Sequence, residues 1–218
     1  MNNLEEQKNY LNMINDSNFE KLKRPAQMLK NGEIIVFPTE TVYGVGTNAF
    51  IKQSINRLYE IKKRPRNKPI SILVSNFDMI NMCASNISEI EYKVMKAFFP
   101  GPLTIILNKK ECIPDELTNN TKTVGIRMPD NELTLKLIEY AGIPLATTSA
   151  NISGKTSGIS IDDIYGDFNE NVDLYIDSGK SKIGIASTIV KIVNNEPIIL
   201  REGTITKKQI EDAIKKWL

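Results

Sequence analysis

Apolar positions along this chain fall into short runs separated by polar, glycine- and proline-containing segments, and the runs predict alternating helices and strands. Residues 1–31 read as helical, broken near Asp16-Ser17-Asn18, with Gly32 where a helix C-cap belongs. Glu33-Ile34-Ile35-Val36-Phe37 reads as a buried strand stopped by Pro38. A polar, glycine-containing segment follows over 39–48, and Ser54 can cap a helix running to about Lys63. A strand is expected at 70–74 and short helices near 77–84 and 88–98, before the breaker Phe99-Pro100-Gly101-Pro102. Further strands are expected at 103–107 and 123–127. A helix over 132–140 ends at Gly142 and leads to a short strand at 144–148. Strands at 174–176, 188–193 and 198–200 precede a last helix, opened by Thr206 with Gln209 three residues on, a capping-box pattern. There is no internal repeat and no low-complexity linker. The irregular alternation, with two strands close together near 188–200, predicts an α/β fold: a mixed sheet with helices packed against it.

The length of 218 residues suits one such domain. Apolar residues make up 41% and charged residues 25%, as in an ordinary globular protein, and no apolar run approaches a membrane span. The opening MNNLEEQKNY places charges where a signal peptide would be apolar. Cys83 and Cys112 lie far apart, outside any CxxC motif, which argues against a disulfide framework or zinc site and fits a reducing compartment. A cytoplasmic location is therefore expected. Histidine is absent, which excludes Ser-His-Asp and Cys-His nucleophile systems and every His-ligated metal site. Any chemistry must come from Lys, Arg, carboxylates, hydroxyls and backbone amides. The net charge of +2 does not announce a nucleic-acid-binding protein.

Four polar segments follow directly on predicted strands, where ligands of open α/β sheets bind. Pro38-Thr39-Glu40-Thr41-Val42-Tyr43-Gly44-Val45-Gly46 offers hydroxyls, a carboxylate and glycines. Lys62-Lys63-Arg64-Pro65-Arg66-Asn67-Lys68-Pro69 is a cationic loop stiffened by prolines, either a solvated face or a loop aimed at a polyphosphate. Residues 147–158, TTSANISGKTSG, are crowded with small donors that let backbone approach a ligand. The fourth is Gly184-Ile185-Ala186-Ser187-Thr188, with Arg201-Glu202-Gly203 ending the neighbouring strand. Gly179-Lys180-Ser181 resembles the end of a P-loop, but Leu174 stands where that motif needs its first glycine.

Together these segments resemble the YrdC/Sua5 family of L-threonylcarbamoyladenylate synthases. The resemblance is carried by PTETVYGVG at 38–46, KKRPRNKP at 62–69, PGPLT at 100–104, TVGIRMPD at 123–130, TTSANISG at 147–154, ASTIV at 186–190 and LREG at 200–203. It implies an open, twisted mixed sheet flanked by helices around a concave basic cavity. The expected division is an N-terminal helical extension over 1–31 and a YrdC-like catalytic domain over 32–218, the short form of the family. The implied reaction condenses L-threonine, bicarbonate or CO2 and ATP, with magnesium, to threonylcarbamoyl-AMP and pyrophosphate, for later modification of tRNA. Lys62 and Arg64 are the implied catalytic cations. Arg64, Lys68, Thr123, Ser149, Ser157 and Arg201 would hold ATP. Thr39 or Thr41, with Arg127, Thr147 and Ser187, would hold threonine, Arg127 gripping its carboxylate bidentately. No metal-ligating side chain is implied. Further implied partners are tRNA and downstream threonylcarbamoyl-transferase proteins, with no membrane. Some members carry a His soon after the cationic loop; here that stretch is Ile70-Ser71-Ile72-Leu73-Val74. Two rival readings use the same fold: a double-stranded RNA or tRNA-binding module without catalysis, and a carbamoyl-transfer domain like those fused in hydrogenase-maturation proteins.

Overall fold

The computed structural model describes residues 9–216. Its framework is one twisted mixed sheet. The strands are β1 (Tyr10–Asn12), β2 (Ile35–Phe37), β3 (Gly44–Asn48), β4 (Ser71–Leu73), β5 (Ala84–Ser85), β6 (Leu103–Lys109), β7 (Thr123–Arg127), β8 (Leu145–Ser149), β9 (Leu174–Asp177), β10 (Thr188–Val193) and β11 (Glu196–Arg201). They lie in the order β1-β9-β2-β3-β8-β4-β7-β6-β10-β11, with β5 paired beside β6. Parallel pairs (β1 with β9, β9 with β2, β4 with β7, β6 with β10) occur alongside antiparallel ones, which makes the sheet mixed as the sequence predicts. Helices α1 (Lys23–Lys30), α2 (Lys52–Ile61), α3 (Phe77–Cys83), α4 (Glu89–Phe98), α5 (Asp115–Thr118), α6 (Glu132–Ala141), α7 (Ile161–Phe168) and α8 (Lys207–Lys215) flank it.

Local chemistry explains most boundaries. Three helices open on a capping box, Ser88 with Glu91, Ser160 with Asp163 and Thr206 with Gln209, each satisfying two otherwise orphaned backbone donors. Helix α6 ends where Gly142 takes a left-handed conformation, φ 65°, which a glycine adopts without steric cost. One continuous core of Ile, Leu, Val and Phe fills the space between sheet and helices.

The structure adds helices α5 and α7 and strand β5, which the sequence reading did not predict, and departs from that reading at three further places. The expected N-terminal helix is largely absent among its described residues. Residues 10–12 form edge strand β1, Phe19–Leu22 is a single 3-10 turn, and only Lys23–Lys30 is α-helical; residues 1–8 lie outside the described part. Strand β1 is held by its parallel register with β9 and by Tyr10 Oη donating to Asp177 at 2.5 Å, long-range bonds that no local periodicity reveals. Second, the polar segment at 44–48 is the buried strand β3. Its Gly44 and Gly46 face Phe37 and Thr147, where a side chain would not fit, so composition hid a strand. Third, Ser54 does not cap α2; the N-cap is Ile51, and Ser54 sits in the helix, its hydroxyl packed against Gly32.

Two glycines make a stability test with opposite signs. A Cβ on Gly46 would stand 2.7 Å from the Thr147 hydroxyl and 2.9 Å from the Ala146 carbonyl, a backbone atom that cannot turn aside. Gly46→Ala should cost about 1–3 kcal/mol. Gly166 lies inside α7 with nothing within 4 Å of the added carbon, so Gly166→Ala should gain about 0.5–1 kcal/mol. Urea unfolding of the two variants measures both.

Candidate functional site

The strands that carry the polar segments open onto a common cleft of about 700 Å³, part of it open to solvent. Its wall is built from β3, β4, β6, β7, β8, β10 and β11 and from the segments that lead into β3, β4 and β10. Thr39, Thr41, Arg64, Arg127, Thr147, Ser149, Ser187 and Arg201, all singled out in the sequence, line it. Residues 62–69, 127, 147–149 and 187–201 are far apart in the chain; the sheet order alone brings them together.

Arg127 ends β7 and is 8% exposed. A guanidinium so deeply buried needs a counter-charge, and Glu40, 5% exposed, supplies it, Arg127 Nη2 lying 2.7 Å from Glu40 Oε2. The second Nη2 proton goes to the Thr41 hydroxyl at 2.9 Å and Nε donates to the Gly101 carbonyl at 3.2 Å. Burial pushes the guanidinium down from its ordinary pKa and Glu40 opposes that shift. Nη1 is left as the nitrogen free to meet a ligand. The bidentate grip expected from the sequence needs two adjacent nitrogens, so it would have to displace Glu40, Thr41 or Gly101.

Two further guanidinium groups point into the cleft. Arg64 is braced by its own loop, Nε to the Lys68 carbonyl at 3.0 Å and Nη2 to the Pro69 carbonyl at 2.8 Å. Arg201 is braced on Ser187, with Nη2 2.7 Å from its carbonyl and 3.0 Å from its hydroxyl. Burial, then the nearby charges of Arg127 and Arg64, push Arg201 below its ordinary value. Three cations that repel one another are held in one place, Arg64 and Arg201 chiefly by carbonyl oxygens and Arg127 by Glu40, Thr41 and the Gly101 carbonyl, an arrangement that stores affinity for anions.

The hydroxyls between them form short relays. Thr39 Oγ donates to the Val42 carbonyl at 2.6 Å and lies 2.9 Å from Thr41 Oγ. Thr104 and Ser187 share a hydrogen bond of 2.8 Å. Thr147 donates to the Leu145 carbonyl at 3.2 Å.

Four residues expected at the site do not line the cleft. Lys62 is 1% exposed, and its ammonium donates to the carbonyls of Ser149, at 2.6 Å, and Asn151, with Asn151 Oδ1 at 3.3 Å. Burial, then Arg64, push it down to about 7, opposed by Asp167. Those acceptors use three N–H groups, and only the protonated amine has three. Lys62 therefore clamps the turn after β8 instead of facing the cleft. The Lys68 side chain is exposed and only its carbonyl serves, as the brace for Arg64. Thr123 begins β7 at the end remote from Arg127. Ser157 lies partly buried in the turn leading to α7.

Sequence reasoning missed Ser71, Leu73 and Thr104, which also line the cleft. Ser71 and Thr104 are polar residues inside otherwise apolar strands, and that pattern could have flagged them. Tyr43 also lines it; its hydroxyl donates to the Gly179 carbonyl at 2.6 Å, and burial pushes its pKa up. A second cavity lies behind the Thr39–Glu40 wall, bordered by Asp130, Asn131, Lys180 and Ser181. The loop beside it ties to that wall through Ile183 N to the Glu40 carbonyl and Gly184 N to the Thr41 carbonyl.

Comparison with known proteins agrees with this geometry. The profile of the Sua5/YciO/YrdC family, described as telomere recombination, matches residues 27–203. The threonylcarbamoyl-AMP synthase of Pyrococcus abyssi is 39% identical over 194 residues, 89% of this chain and 57% of that protein. A putative threonylcarbamoyl-AMP synthase of Methanocaldococcus jannaschii is 40% identical over 202 residues, 91% of this chain and 95% of that protein. The structure of P. abyssi Sua5 complexed with L-threonine superposes with a TM-score of 0.91 at 37% identity, over 94% of this chain and 60% of the other. The chain thus spans less than two thirds of the Pyrococcus protein.

The buried ion pair sets a stability expectation. Glu40→Ala leaves the Arg127 charge unpaired, which typically costs about 3–5 kcal/mol. Glu40→Gln keeps an acceptor oxygen at the same reach and should cost clearly less. Denaturant midpoints for the two variants decide; a Glu40→Ala midpoint equal to the wild type's would mean that the pair holds nothing.

Proposed function

The chain belongs to the Sua5/YciO/YrdC family, and on that footing we propose that it condenses L-threonine, bicarbonate or CO2 and ATP to threonylcarbamoyl-AMP and pyrophosphate. The observation that carries this reading is the convergence of Arg64, Arg127 and Arg201 on one hydroxyl-rich cleft. A triphosphate and an amino-acid carboxylate bring the negative charge that such a cleft needs.

In this reading threonine's amine captures CO2 or bicarbonate, losing a proton or water, and becomes a carbamate. A carbamate oxygen then attacks the α-phosphorus of ATP. The new O–P bond forms as the bond to the β-phosphate oxygen breaks, and pyrophosphate departs. The nucleophile is already anionic, so the chain's task is positioning and charge stabilisation. Arg64 and Arg201 offset charge on the phosphates. Arg127 holds threonine's carboxylate through its free Nη1, and the hydroxyls of Thr41, Thr147 and Ser187 surround the rest. The Pyrococcus complex contains L-threonine, which supports an amino-acid subsite in the shared fold. Lys62 acts at one remove, fixing the Ser149–Asn151 turn against which the nucleotide would lie.

Magnesium would accompany ATP, neutralising its phosphates. The cleft lining holds no carboxylate, and among the described residues no trio of His, Cys, Asp or Glu could hold a metal. The ion would therefore ride on the phosphates and water, a mode magnesium accepts. The reaction is placed in the cytoplasm, with the product passed to threonylcarbamoyl-transferase proteins acting on tRNA. No helix among the described residues is long and apolar enough to cross a membrane.

Pyrophosphate release should require ATP, threonine and bicarbonate together; undiminished release without threonine would refute the assignment. Arg64→Ala and Arg201→Ala should each weaken ATP use by roughly ten- to a hundred-fold, the loss of a charge-assisted contact of about 1.5–3 kcal/mol. Lys68→Ala, with its side chain in solvent, should change it little. Arg127→Met should raise the KM for threonine and leave that for ATP nearly unchanged.

A further inference from the structure

Tyr43 lines the cleft, and its hydroxyl is anchored on the turn that follows β9. It accepts from Ser178 N at 3.1 Å and donates to the Gly179 carbonyl at 2.6 Å. Asp177 shapes that turn. Its Oδ1 accepts from Gly179 N at 2.8 Å, which closes an Asx-turn, and Gly179 takes a left-handed φ of 83°. Its Oδ2 accepts from Tyr10 Oη, on the edge strand β1, at 2.5 Å. Tyr10 is paired with Tyr175, two residues before Asp177 and so on the same face of the sheet. Beyond the turn the chain crosses the back of the cleft wall. Ile183 N donates to the Glu40 carbonyl at 2.8 Å and Gly184 N to the Thr41 carbonyl at 2.7 Å. Glu40 and Thr41 are the residues whose side chains meet Arg127. The other two arginines are fixed elsewhere. Arg64 leans on its own loop. Ser187, the brace of Arg201, is tied to Thr104 at 2.8 Å, and the next residue donates its N–H to the Pro102 carbonyl at 3.0 Å.

We propose that Asp177 is a positioning residue for the amino-acid end of the cleft, and that Tyr10 of strand β1 holds its carboxylate in place. The proposal deepens the function given above and rests on the reading that Arg127 and Thr41 meet threonine. A carboxylate turns easily about its last torsion. With Oδ2 taken by β1, Oδ1 stays on Gly179 N. The turn then offers the Tyr43 hydroxyl a donor and an acceptor together, matched to a group that is both. Burial pushes the Tyr43 pKa up, so its proton stays available to the Gly179 carbonyl. The Tyr43 backbone is pinned as well, its N–H on the Gly158 carbonyl at 3.1 Å and its carbonyl on Ala150 N at 2.7 Å. The segment from Thr39 to Tyr43 is thus held at its end by the Tyr43 contacts and from behind by the loop after the turn. Arg127 aims its free nitrogen only as accurately as Glu40 and Thr41 are held, and small misplacements of a binding group are costly. Asp177 itself touches no substrate in this arrangement; it acts through the wall. Strand β1 accordingly does more than extend the sheet.

The test is pyrophosphate release by the full chain, with KM read separately for L-threonine and for ATP in Asp177→Asn and Tyr10→Phe. Both substitutions keep the shape of the side chain. Asp177→Asn should raise the KM for threonine roughly tenfold and Tyr10→Phe roughly threefold, since only part of a lost hydrogen bond is passed on to the ligand. The KM for ATP should stay nearly unchanged in both. A variant that is merely less folded lowers kcat and moves neither KM, so the split separates positioning from stability. Tyr10→Phe added to Asp177→Asn should raise the KM for threonine little further, because the hydroxyl acts through the carboxylate. An unaltered KM for threonine in both single variants would overturn the proposal, and so would an equal rise in both KM values. If Asp177→Asn does not fold, Tyr10→Phe alone decides on the same criterion. Wild-type release with an unaltered threonine KM in the variants refutes the positioning role alone. No release by the wild type refutes the proposed reaction and the role of Asp177 with it.

Discussion

The site depends on keeping a charged guanidinium in a nearly dry place. Arg127 loses most of its hydration at the end of β7, and the loss is tolerable only because Glu40, Thr41 and the Gly101 carbonyl meet three of its protons. Those partners come from the turn after β2 and from the breaker before β6, so the charge pulls both turns against the strand between them. The geometry of the cleft follows. The same bonds that make Arg127 affordable to bury also aim its remaining nitrogen into the open space.

Bracing by backbone oxygens is the wider pattern. Arg64 leans on carbonyls of its own loop, Arg201 on Ser187, and Lys62 on the turn after β8. None of these cations has a carboxylate as its brace, so their charge is positioned without being cancelled. A carboxylate partner would hold an arginine equally well and would spend the field that an anionic ligand needs. Glu40 is the exception, and it faces the second cavity, behind the wall.

Much of this was legible in the sequence, and the failures share a cause. Strands such as 123–127 and 188–193 and the capped helix opening at Thr206 rest on local pattern, and they form where pattern puts them. Strand β1 and glycine-bearing β3 owe their form to partners distant in the chain, which pattern does not carry. The site divides the same way. Polar residues at or just after strand ends, such as Thr39, Thr41, Ser149 and Arg201, come together because strand ends converge. Lys62 looked like a cleft cation because a run of charges has no visible inside; only the helix that carries it decides which lysine turns inward. Leu73 passed as an ordinary core residue because hydrophobicity alone does not separate a core position from the wall of a site.

The order of the strands has a consequence for how the protein comes into being. The three arginines that furnish the cleft are drawn from β7, from the loop before β4, and from β11, the last strand of the sheet. Lys62 closes on carbonyls of residues 87 and 89 positions further along. Contacts that span so much chain form late, after local helices have appeared, since loop closure must precede them. A chain emerging from the ribosome therefore carries most of its helices well before it carries a complete cleft. Ligand capture waits for Arg201 to emerge, because every other residue of the cleft lining precedes it in the chain.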